Sequence, residues 1–164
     1  MSQAIADLFE RLSAGVYVAG VAAGERRKAF TAAWVMPVSF DPPLLALGIN
    51  PNHASCALLR EGGCFSVNVL RRDQADLAAW FGAPRQADKL AKVAWRPGQS
   101  GAPLLDDALA HFECHVVSET PAGDHVLVVG RVVAGALLQP EAEPLLYRDM
   151  GGVDGAAALY PDSF

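Results

Sequence analysis

Four groups of residues in this sequence carry side chains that chemistry needs. In Thr31-Ala32-Ala33-Trp34-Val35, one hydroxyl stands among small residues just ahead of a large aromatic. Short side chains let a flat heteroaromatic ring lie against backbone, whose N–H and C=O groups can bond the ring's polar edge. Taken alone, the same run reads as an ordinary strand with a core tryptophan. Asn50-Pro51-Asn52-His53-Ala54-Ser55 precedes a helical pattern, and oriented N–H groups at a helix start attract an anion such as phosphate. The competing reading is that Asn52 simply caps the helix. Gly123-Asp124-His125 opens an apolar run, and a histidine there can bond a ligand or relay a proton; a plain hairpin turn has the same signature. Finally, His111, Glu113 and His115 share a face if their segment is a strand. Such a trio can bind zinc or iron, but polar strand faces are ordinarily solvated, so no metal is assigned. Cys114 would then turn into the core.

Several classes of function are excluded by what is missing. The spacing of Gly15, Gly20 and Gly24 does not make a dinucleotide-binding turn, no Gly-Lys-Ser/Thr is present, and no Gly-x-Ser-x-Gly elbow occurs. The net charge is -5, and the longest basic run is within Glu25-Arg26-Arg27-Lys28, so no nucleic-acid surface is expected. Three cysteines without CxxC spacing make neither a disulfide framework nor a zinc site. Residues 1–10 lack a basic-then-apolar leader and no apolar stretch reaches membrane-spanning length, so a cytoplasmic location is expected, with no membrane partner.

The elements that must position these residues follow from length and patterning. At 164 residues, 52% hydrophobic and 19% charged, the chain suits one folded domain over residues 1–164. Ile5, Leu8, Phe9 and Leu12 recur at helical spacing, which predicts a first helix ending near Gly15. Strands are predicted over 16–23, 30–38, 44–49, 64–70, about 112–116 and 126–138, the last so apolar that both its faces should be covered. Pro37 marks an edge or bulge. Short helices are expected over 53–60, behind an Asp73 cap through Phe81, and around 88–92; the stretch from Arg85 to Pro103 reads as mixed and loop-rich. Strands outnumber helices and lack regular crossovers, which favours an antiparallel barrel with helices outside.

The ordered motifs resemble the flavin reductase-like, FMN-binding split-barrel family. They are Thr31-Ala32-Ala33-Trp34, Val38-Ser39-Phe40-Asp41-Pro42-Pro43, Asn50 through Ser55, Phe65-Ser66-Val67-Asn68-Val69-Leu70, Asp88-Lys89, Gly101-Ala102-Pro103-Leu104, Gly123-Asp124-His125 and Val129-Gly130-Arg131-Val132. The resemblance implies a mainly β, Greek-key split barrel with a few peripheral helices, forming a homodimer with one FMN, or sometimes FAD, per subunit. By that likeness Thr31, Ala32, Ala33, Trp34 and Val35 line the isoalloxazine, while Asn50, His53, Ala54 and Ser55 hold the ribityl-phosphate end with Lys89 in reach. His125 matches the position associated with nicotinamide binding and hydride transfer. The expected activity is NAD(P)H-dependent flavin reduction, with NADH or NADPH as co-substrate and a monooxygenase as a partner for reduced flavin. A flavoredoxin-like electron-transfer protein and a non-catalytic flavin-binding module are the alternatives.

Overall fold

The computed structural model describes residues 2–84, 88–152 and 154–164. Small and β-branched residues make β1 (Tyr17–Ala23), buried from residue 18 onward. It reverses at Gly24, whose φ of 60° suits a residue without a Cβ, into β2 (Arg26–Ala32). Then come β3 (Val35–Ser39), β4 (Leu44–Ile49) and β5 (Cys64–Val69). Short β6 (Trp95–Pro97) and β7 (Pro103–Leu105) pair with each other alone. The long hairpin of β8 (Ala110–Ala122) and β9 (His125–Leu137) follows, turning at Gly123 with φ 62°. The helices are α1 (Ser2–Phe9), α2 (Ala54–Gly62), which sends Cys56, Leu58 and Leu59 into the main apolar core, and α3 (Ala75–Gly82), and among the described residues no helix is long and apolar enough to cross a membrane. The expected mainly β fold is what forms.

Seven antiparallel strands order as β2-β1-β5-β8-β9-β4-β3. That order forces the sheet to roll. Laid flat, its two edges would stand about 29 Å apart, six gaps of about 4.8 Å. Yet Ala32 at the end of β2 and Val35 at the start of β3 are only three residues apart, a span of about 10 Å at most. The edges therefore approach each other at Ala33 and Trp34. Inside the roll, Val21, Phe30, Leu47, Phe65, Val67 and Val128 form the main apolar core, drawn from strands at both ends of the order.

The opposite face of β1 and β5 is covered by α3 and the β6–β7 hairpin, through Val18, Leu70, Phe81, Leu90 and Leu105. Polar residues clamp this layer. The fully buried Asn68 donates from Nδ2 to Val18 O at 3.0 Å and to Pro103 O at 3.2 Å, and its Oδ1 accepts from the Leu105 N–H at 2.9 Å. Each buried polar atom of that amide thus meets a partner, which is what burial demands.

The differences from sequence expectation have local causes. The single strand expected over 30–38 is two strands, because the chain leaves one sheet edge at Ala33–Trp34 and joins the other. Pro37 does lie on an edge strand beside a register shift. The first helix stops at Phe9, leaving Leu8 and Leu12 exposed. Asp73 does not cap α3: its carboxylate accepts from Arg71 Nε at 2.9 Å, and Gln74 occupies the cap position. Only the first half of β9 alternates into the core; from Arg131 onward none of its residues is buried, so its apolar composition overstates its cover. The stretch expected to be loop-rich holds β6, β7 and a 3-10 turn, Lys89–Lys92; its first residues, 85–87, lie outside the described residues.

Candidate functional site

The start of α2 concentrates positive charge. His53 is the N-cap residue, and its Nδ1 accepts from the Ser55 N–H at 3.1 Å. His53, and not Asn52 as the competing reading had it, therefore caps the helix. Asn52 instead donates its N–H to Asn50 Oδ1 at 2.9 Å, and Asn50 O accepts from the His53 N–H at 3.0 Å, so the loop is a pair of nested turns. Accepting at Nδ1 requires the neutral ring in the tautomer that carries its proton on Nε2. Burial pushes the His53 pKa down, and the charges of Lys89 and Lys28 push it further the same way. Ser55 is buried behind the cap, and Ala54 is exposed at the first turn.

Lys89 reaches this place from the 3-10 turn, which Trp80 fixes by donating from Nε1 to Lys89 O at 3.0 Å. Its Nζ donates to Phe81 O at the end of α3 at 2.7 Å, a favourable place for a cation. Burial lowers the Lys89 pKa, and Lys28 lowers it further. Lys28 shares a face of β2 with Phe30 and Ala32 by the two-residue period, and Phe30 packs on the His53 ring with centroids 4.9 Å apart. Two lysines and a capping imidazole that oppose one another's charge fit a phosphate, which would relieve all three.

A second cluster lies where the sheet edges meet. Trp34 is 53% exposed, and its ring stands 4.7 Å from the His125 ring at 46°. Gly48 lies against Trp34: its N–H donates to Trp34 O at 2.9 Å, and a Cβ there would meet the Trp34 Cβ at an ordinary contact distance of 3.4 Å. His125 Nδ1 is 2.7 Å from Asp124 Oδ1, so the turn before β9 holds the imidazole. Together, a half-open indole, small Ala32 and Ala33, and a positioned histidine fit a planar ring with one polar edge.

The structure brings most of the expected residues into these two clusters. Asn50, His53, Ala54, Ser55 and Lys89 are at one end, and Ala33, Trp34 and His125 at the other. Ala32 is buried on the core face of β2, and Val35 is half-buried at the start of β3. Thr31 is turned away: its hydroxyl donates to Ala78 O at 2.6 Å, on the α3 side of the sheet. Sequence reasoning missed Lys28, Phe30 and Gly48, and it gave Asp124, though part of the Gly123-Asp124-His125 motif, no role of its own. Period two along β2 would have placed Lys28 and Phe30 beside Ala32; no local signal marks Gly48.

The His111-Glu113-His115 face does not behave as a solvated or metal-binding face. His111 and Glu113 are buried, whereas His115 is exposed. The loop after β6 makes the difference: Glu113 Oε1 accepts from the Ser100 N–H at 3.3 Å, and Gly98 has no room for a Cβ against it. His115 lies two residues beyond that cover. Among the described residues no group of three or more His, Cys, Asp or Glu is arranged to hold a metal. Cys114 is fully buried as expected, and burial holds its thiol up at about 12.

The model of the flavin reductase like domain family matches residues 9–155. A flavin reductase (NADH) of Kitasatospora aureofaciens is 42% identical over 112 residues, 67% of this chain and 58% of that protein. The chain spans 42% of the length of another curated relative, so it covers about half of these proteins. Among solved structures, nitrilotriacetate monooxygenase component B of Mycobacterium thermoresistibile has a TM-score of 0.81 at 30% identity, covering 88% of this chain and 80% of that one. The NADH:FAD oxidoreductase of Streptomyces globisporus has a TM-score of 0.80 at 30% identity, covering 87% and 86%.

Proposed function

The chain belongs to the flavin reductase-like domain family, and from that premise we propose that it is an NADH-dependent flavin reductase. The observation that carries this reading is the separation of its two clusters along one strand. From Ala32 to Lys28 is four residues of β2, about 13 Å at about 3.3 Å each. That is the reach of a tricyclic ring bearing an extended five-carbon polyol phosphate. FMN, or the FMN half of FAD, would lay its ring along residues 31–35 and its phosphate among Asn50, His53, Ala54, Ser55 and Lys89.

The chemistry supplied by a bound flavin is acceptance of a hydride at N5 from the nicotinamide C4. The chain's own residues orient and screen. Trp34 covers the ring's edge from water, the backbone of Ala32 and Ala33 bonds its polar rim, and His125, held by Asp124, orients the nicotinamide carboxamide. Thr31 acts one step back by fixing β2 to α3 through Ala78 O.

The assembly belongs to the same reading. The rolled sheet is taken as a Greek-key split barrel forming a single domain, in the cytoplasm. Met36 and Val38 on β3, Phe40 just beyond it and Trp34 just before it are all exposed, an apolar row along this sheet edge. A second copy covering that row makes a homodimer and closes the ring site. Likeness to a monooxygenase component supports a monooxygenase as the consumer of reduced flavin.

The test is the absorbance of purified protein with FMN, followed by steady-state oxidation of NADH and NADPH. Flavin bands with a shifted maximum and turnover with NADH are expected. Bound flavin with no oxidation of either nucleotide would leave electron transfer from a protein donor, and no flavin spectrum at all would leave a binding module.

A further inference from the structure

The 3-10 turn Lys89–Lys92 brings two lysines to the phosphate end of the proposed flavin site. Side chains three residues apart eclipse in such a turn, so Lys89 and Lys92 leave it on the same side. By spacing alone, either could serve an anion. Lys89 is the one whose charge opposes that of His53 and feels that of Lys28.

Trp80, in the last turn of α3, accounts for the difference. Its Nε1 donates to Lys89 O at 3.0 Å, which fixes the backbone of the turn. Its ring takes the other lysine: Lys92 Nζ lies 4.5 Å from the ring centroid, within cation–π range. One indole thus holds the main chain of Lys89 by its edge and the ammonium of Lys92 by its face. The next residue completes the grip, since Phe81 O accepts from Lys89 Nζ at 2.7 Å. Consecutive residues of one helix therefore hold Lys89 at both ends. That helix is itself anchored: Phe81 is fully buried in the same apolar cluster as Leu90 of the turn, and Trp80 packs against that cluster.

A free lysine has many rotamers and forfeits most of them when it closes on an anion. A lysine already held in place forfeits fewer, which tightens binding without a new contact to the ligand. We propose that Trp80 is a positioning residue of the flavin phosphate site, presenting Lys89 to the phosphate and keeping Lys92 from it. The inference rests on the flavin reading above and deepens it, because Trp80 stands behind Lys89 and acts through it.

The experiment titrates FMN and riboflavin separately into apoprotein by quenching of flavin fluorescence. Riboflavin has the same ring and polyol without the phosphate, so the ratio of the two Kd values reads the phosphate end alone. Lys89→Ala removes a charge-assisted contact and raises the FMN Kd about tenfold. Trp80→Phe keeps an aromatic face for Lys92 and deletes the Nε1 donor; it raises the FMN Kd about fivefold and leaves riboflavin within about twofold. A parallel rise for both flavins is a loosened fold and overturns the inference. In the double variant the losses do not add: its FMN Kd matches that of Lys89→Ala within about twofold, because no lysine is left to position. Additive losses overturn the inference in favour of a separate effect of Trp80. Lys92→Gln changes an exposed side chain and leaves the FMN Kd within about twofold, a readout that stands even where Trp80→Phe fails to fold. A loss there as large as that of Lys89→Ala makes Lys92 the phosphate lysine and overturns the inference. Natural protein that binds FMN no more tightly than riboflavin places the phosphate outside the cluster, and the inference then falls with the reading beneath it.

Discussion

Replacing Thr31 by valine separates holding a strand from holding a ligand. The side chains have nearly the same shape, so the change deletes one hydroxyl, which donates to Ala78 O at 2.6 Å. Ala78 lies within α3, and Gly82 four residues on is its helical partner, so the carbonyl is not stranded. The loss is then that of one ordinary hydrogen bond, about 1 kcal/mol. For a domain of this size that lowers Tm by about 2–4 °C. Urea denaturation and thermal melts of the apoprotein measure it, and fluorescence titration measures the FMN Kd, which should stay within about twofold. If affinity falls tenfold or more while Tm holds, the hydroxyl points at the flavin and the assignment of Thr31 to α3 is wrong.

His125→Ala removes the imidazole beside Trp34 and should slow hydride transfer in stopped-flow reduction about tenfold or more, with the flavin still bound; an unchanged rate would take His125 out of the site. Gly130→Ala forces a Cβ to within 2.5 Å of the Phe65 ring and 2.8 Å of the Cys114 Cβ, so it should cost about 1–3 kcal/mol in urea denaturation, and a neutral result would mean the core there is loose. His53 carries a pH prediction. Its folded pKa lies below the unfolded value, so its contribution is present above about pH 6.5 and is lost as pH falls through the folded value, when the unfolded chain binds the proton first. NMR titration of the His53 ring should show that low midpoint, moved upward by bound FMN through the phosphate charge; no movement would place the phosphate elsewhere.

What could be read from the sequence was whatever a strand or helix decides for itself. Leu44–Ile49 is continuously apolar between Pro43 and Asn50, and β4 forms with those bounds. Gly123-Asp124 marks a hairpin, and β8 and β9 turn there. Both clusters of the site were found through short motifs at element ends. What could not be read depends on cover from elsewhere. His111 and Glu113 look like a wet face until the loop carrying Gly98 and Ser100 is laid over them, and neither ring nitrogen of His111 meets a partner there. Similarly, the alternation from Phe30 through Met36 passes unbroken over Ala33 and Trp34, though the chain changes sheet edge between them. Periodicity reports which way a side chain faces, not which strand lies beside it. The His53 cap was hidden because histidine is an uncommon cap, preferred here over Asn52 by the turns that Asn50 makes.

The two-residue passage at Ala33 and Trp34 has a consequence for transplanting this site. Its flanking strands are neighbours in sequence, yet each takes its hydrogen bonds from the far end of the sheet, and five other strands must be in place before the seam exists. A peptide of residues 26–39, or that segment grafted into another scaffold, would carry every letter of the Thr31-Ala32-Ala33-Trp34-Val35 motif and none of its geometry. The smallest unit that can present Trp34 to His125 is the whole roll.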